Sequence, residues 1–165
     1  MPFLPGSRLT NLGIFLAALG AMLAALWLQH YQHLEPCPLC IFQRYAMISL
    51  GLIALLAFLH GPKSALGRRV YAGLTLLAAL GGISVAARHV WLQHLPPEDV
   101  PACGPGLDYW MDTFPFHEVL MKVFKGSGEC AVVDWTFLGL ALPAWTLLAF
   151  SGFAAVALWQ MLRRA

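Results

Sequence analysis

Charge is what this sequence has least of. Only 11% of its 165 residues are Asp, Glu, Lys or Arg, and 59% are hydrophobic. A soluble domain ordinarily carries about 25% charged residues, and the mean hydropathy of +0.70 points the same way. Too little polar sequence remains to cover a soluble protein with buried helices, so that class is excluded. Internal repeats and low-complexity segments are also absent, and the chain reads as a single membrane domain, 1–165. The net charge of +2 is small, and no nucleic-acid partner is expected.

What is present is a set of long uncharged runs. Charge is missing from Leu9 to Leu34, Tyr45 to Pro62, Val70 to Ala87 and Trp135 to Leu162. Each holds an apolar heart close to the roughly 20 residues that cross a bilayer core. The expected fold is an all-α membrane protein, a bundle with transmembrane helices over 10–28, 42–60, 70–87 and 144–162. Outer loops cover 29–41 and 88–143. The first span resembles a signal peptide only superficially, because Trp27-Leu28-Gln29-His30 is a poor small-residue cleavage site. It is read as retained.

The charges that do occur are sorted by side. Arg8, Lys63, Arg68, Arg69, Arg163 and Arg164 share the side of the two termini, with no acid among them. All eight acids fall on the other side, with Arg44, Arg88, Lys122 and Lys125. Basic residues in short loops stay cytoplasmic, so both termini are expected there and the long loop in the opposite compartment.

Cysteine is also scarce. The chain has four, Cys37, Cys40, Cys103 and Cys130, and none lies on the cytoplasmic side. That bias suits disulfide chemistry in an oxidising compartment. Three pairings are open from sequence alone. Cys37 and Cys40 stand at CxxC spacing where one apolar run ends and the next begins. Pro36 and Pro38 disfavour helix there, so the chain should turn at Cys37 and enter a helix near Cys40. A helix N-terminus favours a thiolate. Arg44 lies one turn further on the same face. Its guanidinium can stabilise a thiolate and donate to a carbonyl oxygen that becomes negative, as in quinone reduction. His89, beside Arg88, caps the third span at similar depth and is a second candidate for contact with quinone. Zinc is disfavoured, since Cys103 and Cys130 do not form a second close pair. A c-type haem would need His where Ile41 stands.

The long outer loop divides in three. Leu95 to Asp108, which carries Cys103, is rich in Pro and Gly and expected to be mobile. Phe114 to Phe124 places apolar residues at 116, 119, 120, 123 and 124, a helical stripe. A short interfacial helix lying flat on the membrane is expected, with packing against other loop residues as the alternative. Gly126 to Cys130 then reads as a flexible turn.

Together these residues carry a resemblance. Trp27-x-Gln29-His30, Pro36-Cys37-x-Leu39-Cys40-Ile41 with Arg44, and His89 with Leu92-Gln93 are part of it. Cys103, Ser127-Gly128-Glu129-Cys130, Trp135-x-Phe137-Leu138-Gly139-Leu140 and Pro143-x-Trp145 complete it. Over nearly its whole length the chain resembles the DsbB family, disulfide bond formation proteins of the bacterial inner membrane. One departure is Arg88, where members can carry an acid. The resemblance implies a thiol:quinone oxidoreductase. Its partner would be DsbA, a periplasmic thioredoxin-fold dithiol protein, and its electron acceptor ubiquinone or menaquinone in the lipid bilayer, with no metal. It also implies a route for electrons. DsbA attacks a Cys103–Cys130 disulfide at Cys103, and the freed Cys130 engages Cys37. Cys40 is thereby released as a thiolate that reduces quinone beside Arg44.

Overall fold

The computed structural model describes residues 6–163. Residues 1–5 of the expected amino-terminal tail, and Arg164 of the basic cluster, lie outside it. Four helices are long and apolar enough to cross a membrane: α1 (Ser7–Tyr31), α2 (Pro38–His60), α3 (Ala65–Leu92) and α6 (Leu142–Leu162). Between α3 and α6 stand the short helices α4 (Leu107–Thr113) and α5 (Phe116–Lys125). Two 3-10 turns, Pro97–Asp99 and Gly128–Ala131, and a hairpin of β1 (Thr136–Phe137) and β2 (Leu140–Ala141) complete the outer segment.

The long helices run past the expected spans, and their ends show why. Pro38 occupies the first turn of α2, where its missing N–H costs nothing. It therefore starts the helix instead of delaying it, with Cys37 as N-cap. Gly61 ends α2 in the left-handed conformation, φ 55°. Ser64 opens α3 by accepting the Gly67 N–H on its hydroxyl at 3.1 Å. No proline or glycine interrupts α3 near Arg88, so the helix continues to Leu92. Arg88 and His89 thus lie inside its last turns and do not cap it.

α2 packs on α1 and α3, and α3 packs on α6. One core joins Ile14 and Ala18 of α1, Met47, Leu50 and Ala54 of α2, Ala79 and Ala86 of α3 and Phe150 of α6. Small residues let the backbones approach. At Gly51, an added Cβ would lie 3.4 Å from that of Ala18. At Gly82, it would lie 2.4 Å from the Phe150 ring. Much of α1 is turned outward, as Leu16, Leu19, Leu23 and Leu26 show. Gly13 and Gly20 face open space, so the small residues of α1 serve packing mainly through Ala18.

A second core caps the cysteine-bearing end. It gathers Leu39 of α2, Val85 and Leu92 of α3, Trp110 of α4, Val119 and Val123 of α5, and Cys130. The stripe on α5 is therefore divided. Val119 and Val123 pack inward, whereas Phe116 and Phe124 remain exposed. One edge packs on the protein, reaching the spanning helices as well as the loop, and the other leaves an exposed apolar strip. The segment from 126 to 130, read as a flexible turn, is instead seated, with Ser127 and Cys130 buried. Gly126 adopts φ 85°, and a Cβ there would meet Leu92 at 2.4 Å. Part of the Pro- and Gly-rich stretch is likewise ordered, since Gly104 lies against Trp110. Arg88 ties the cap to α3 by donating to the Phe124 and Lys125 carbonyls at 2.8 and 3.0 Å.

Gly82→Ala is expected to destabilise the bundle by about 1–3 kcal/mol through overpacking against Phe150. Thermal unfolding in detergent should show a lowered midpoint, and adding Phe150→Leu should recover part of it. An unchanged midpoint in Gly82→Ala would contradict the close α3–α6 contact.

Candidate functional site

The cysteine-bearing end holds a cavity of about 710 Å³ between α1, α2, α3 and α6. Its lining includes Cys37, Cys40, Gln43, Arg44, His89 and Thr146. The Pro-initiated start of α2 sets the first of these. Cys37 is the N-cap and Cys40 the third helical residue, so Cys40 sits in the first turn as its spacing suggested. Arg44 follows one turn below and leans toward α1. It donates to Gln29 Oε1 at 2.5 Å and to the Ala25 carbonyl at 3.4 Å. The guanidinium is thus held at the wall of the cavity by two acceptors from the neighbouring helix.

Cys130 arrives from the second core, fully buried. Its sulfur, that of Cys37 and a ring nitrogen of His89 all lie within 4.8 Å of one another. Contact with the Cys37 sulfur, followed by burial, pushes the Cys130 thiol well above the usual thiol range. Ser127 Oγ stands 3.7 Å from the same sulfur. Cys103, in contrast, is exposed. Its loop segment crosses the Cys130 turn, where the Gly128 N–H donates to the Ala102 carbonyl at 3.4 Å. A Cβ on Gly128 would sit 3.0 Å from Cys103 Sγ, so glycine is what permits the crossing. All four sulfurs are thiols in this structure.

His89 is 3% exposed and stands between the sulfurs. Nε2 is 3.8 Å from Cys37 Sγ, and Nδ1 is 3.9 Å from Cys40 Sγ and 3.1 Å from Gln43 Nε2. The fold therefore brings five of the six expected residues to one place: Cys37, Cys40, Cys130, Arg44 and His89. The sixth, Cys103, lies outside on the crossing loop. Linear spacing argued against zinc, yet Cys37, His89 and Cys130 form a nitrogen and sulfur donor set of the type zinc accepts. The same closeness is what sulfur exchange requires.

Three residues at the site escaped the sequence reading as functional groups: Gln29, Gln43 and Thr146. Gln29 fixes Arg44, and Thr146 donates to Gln43 Oε1 at 2.6 Å. A signal existed, because Gln43 and Thr146 are polar side chains in otherwise apolar spans.

Known proteins resemble the chain along most of its length. The family described as disulfide bond formation protein DsbB matches residues 7–160. Disulfide bond formation protein B of Acinetobacter baylyi is 54% identical over 151 residues, 92% of this chain and 88% of the relative. The Acinetobacter baumannii protein of that name is 53% identical over 156 residues, 94% and 91% of the two chains. The Saccharophagus degradans protein is 51% identical over 162 residues, 98% and 97% of the two. Four spanning helices with a sulfur-lined cavity at one end, and identity of this extent along the whole chain, lead to one assignment: the chain belongs to the DsbB family of disulfide bond formation proteins.

Proposed function

We propose that this chain is a thiol:quinone oxidoreductase of the bacterial inner membrane. It reoxidises a DsbA-like periplasmic dithiol protein and passes the electrons to membrane quinone. The observation that carries this reading is the meeting of Cys37 and Cys130 beside a cavity lined by Cys40 and Arg44. The residues form one membrane domain with two outer loops. Its orientation follows from charge: Arg8, Lys63, Arg68, Arg69 and Arg163 mark the cytoplasmic end, and the acids and cysteines the periplasmic end.

The electron route uses each sulfur according to its exposure. Exposed Cys103 is the sulfur a soluble protein thiolate can reach. Attack there breaks the Cys103–Cys130 bond, and Cys130 takes the electron pair. Cys130 then attacks Cys37, the Cys37–Cys40 bond breaks, and Cys40 leaves as a thiolate at the cavity wall. The partner's second thiol resolves its mixed disulfide with Cys103. Quinone, ubiquinone or menaquinone, supplies the two-electron sink and leaves as quinol. Arg44 is placed to donate to a ring oxygen that gains charge. No step needs a metal, and no nucleic acid takes part.

Purified protein in detergent, mixed with a reduced DsbA-type protein and a soluble quinone, should consume quinone in proportion to the dithiol oxidised. Cys37→Ser and Cys40→Ser should abolish that consumption. A partner left as dithiol with no loss of quinone absorbance would sink the proposal.

Arg44→Ala should slow quinone reduction by about 100-fold, the usual effect of losing one donor to a developing negative oxygen. Exchange between the partner and Cys103–Cys130 should persist, as measured by mixed-disulfide formation. Unaltered quinone kinetics would make Arg44 a membrane-edge anchor instead.

A further inference from the structure

One chain of contacts on the floor of the site does not belong to the electron route itself. Gln43 is 5% and His89 3% exposed, and both are polar groups within the membrane-spanning bundle. Gln43 touches His89 Nδ1 on one side and Thr146 of α6 on the other. With Nδ1 engaged, Nε2 faces Cys37. The imidazole thus lines the cavity with Nε2 turned to the Cys37 sulfur.

Thr146 has one hydroxyl proton and two acceptors, the Gln43 amide oxygen at 2.6 Å and the Pro143 carbonyl at 2.9 Å. In one arrangement Thr146 donates to Gln43, Gln43 donates to Nδ1, and the Nε2–H of His89 points at Cys37. A half-turn of the Gln43 amide exchanges its oxygen and nitrogen in place. Thr146 then donates to Pro143, Gln43 donates to Thr146 and accepts Nδ1–H, and the Nε2 lone pair faces the sulfurs. Gln43 therefore supports both tautomers of His89, as a group that takes and returns a proton requires.

We propose that His89 is the acid–base group for exchange between Cys130 and the Cys37–Cys40 pair, and that Gln43 and Thr146 are its positioning residues. The inference rests on the thiol:quinone reading and deepens it. Nε2 takes the proton of the Cys130 thiol, and the new thiolate attacks Cys37 Sγ. The Cys37–Cys130 bond forms, the Cys37–Cys40 bond breaks, and its electron pair leaves on Cys40. The proton stays on the imidazolium, whose Nδ1 side is 3.9 Å from the Cys40 sulfur. Contact with Cys37 and burial disfavour a Cys130 thiolate, so the sulfur that leaves Cys103 takes up a proton before it attacks, and a base must remove that proton. The titratable groups facing His89 are Cys37 and Cys40 from α2 and Cys130 from the second 3-10 turn. α6 contributes neutral Thr146, and Glu35, Arg44, Asp108, Glu129 and Asp134 line the shared cavity.

The test uses the full-length chain carrying Cys103→Ser, with the Cys37–Cys40 disulfide formed and Cys130 a thiol. Exchange releases Cys40, which monobromobimane captures, and peptide mass reports its labelling from about pH 5 to 9. Capture should fall as the medium is acidified, because imidazolium cannot take a proton. Gln43→Leu should slow capture about tenfold, part of the usual acid–base contribution, and move that limb to lower pH. Gln43→Glu should retain the rate and move the limb to higher pH, since a carboxylate favours imidazolium. Equal slowing in both variants with an unmoved limb, or no slowing in either, overturns the proposal. Quinone consumption by the unsubstituted chain separates the two readings. If it occurs while capture ignores Gln43, only this inference fails; if it never occurs while capture follows Gln43, only the quinone reading fails.

Discussion

A thiolate can exchange only with a sulfur it touches, and this constraint organises the rest of the molecule. Cys37 belongs to the start of a spanning helix, and Cys130 to a loop almost a hundred residues away in sequence. Their meeting depends on two local facts. Pro38 begins α2 immediately after Cys37, which fixes that sulfur at the helix end. The second core then holds the Cys130 turn down on Leu39, Leu92 and Val123. Apolar burial at the bundle end thus does more than stabilise the cap, because it sets the distance between the two sulfurs.

The two cores divide the work. The inner one, with Phe150 seated on Gly82, keeps α2, α3 and α6 in a fixed arrangement. It leaves room near α1 for a cavity in which Arg44 is held by Gln29 and Ala25. The outer core carries the sulfur that must arrive from outside. Arg88, at a position where a resemblance to family members allowed an acid, caps the C-terminal carbonyls of α5 and lies over the Trp91 ring. It therefore braces the cap against α3, and the adjacent His89 is free to face inward.

Much of this was legible in the sequence. A run without charge declares a span through composition alone, so all four long helices were readable. Their ends were not, because a proline at the first helical position extends α2 whereas a proline elsewhere would shorten it. The cysteines and Arg44 were readable by residue type and helical spacing. Gln43 and Thr146 were not, since one polar residue in an apolar run does not name its partner, and these two sit on different helices. The α5 stripe was read correctly as helical, but periodicity cannot tell which neighbour covers each edge. Val119 and Val123 found protein, and Phe116 and Phe124 did not. The Gly126 to Cys130 segment looked flexible because glycine often marks flexibility. Here Gly126 and Gly128 instead permit close approach to Leu92 and to the Cys103 loop.

The central claim is that Cys130 passes its electrons to Cys37, and disulfide mapping tests it most directly. In the Cys40→Ser variant, Cys37 has no neighbour in its own pair, so a formed Cys103–Cys130 disulfide can rearrange within the chain. The account predicts that, after equilibration, peptide mass spectrometry finds Cys37 joined to Cys130 and Cys103 free. An intact Cys103–Cys130 disulfide with Cys37 left as a thiol would contradict it.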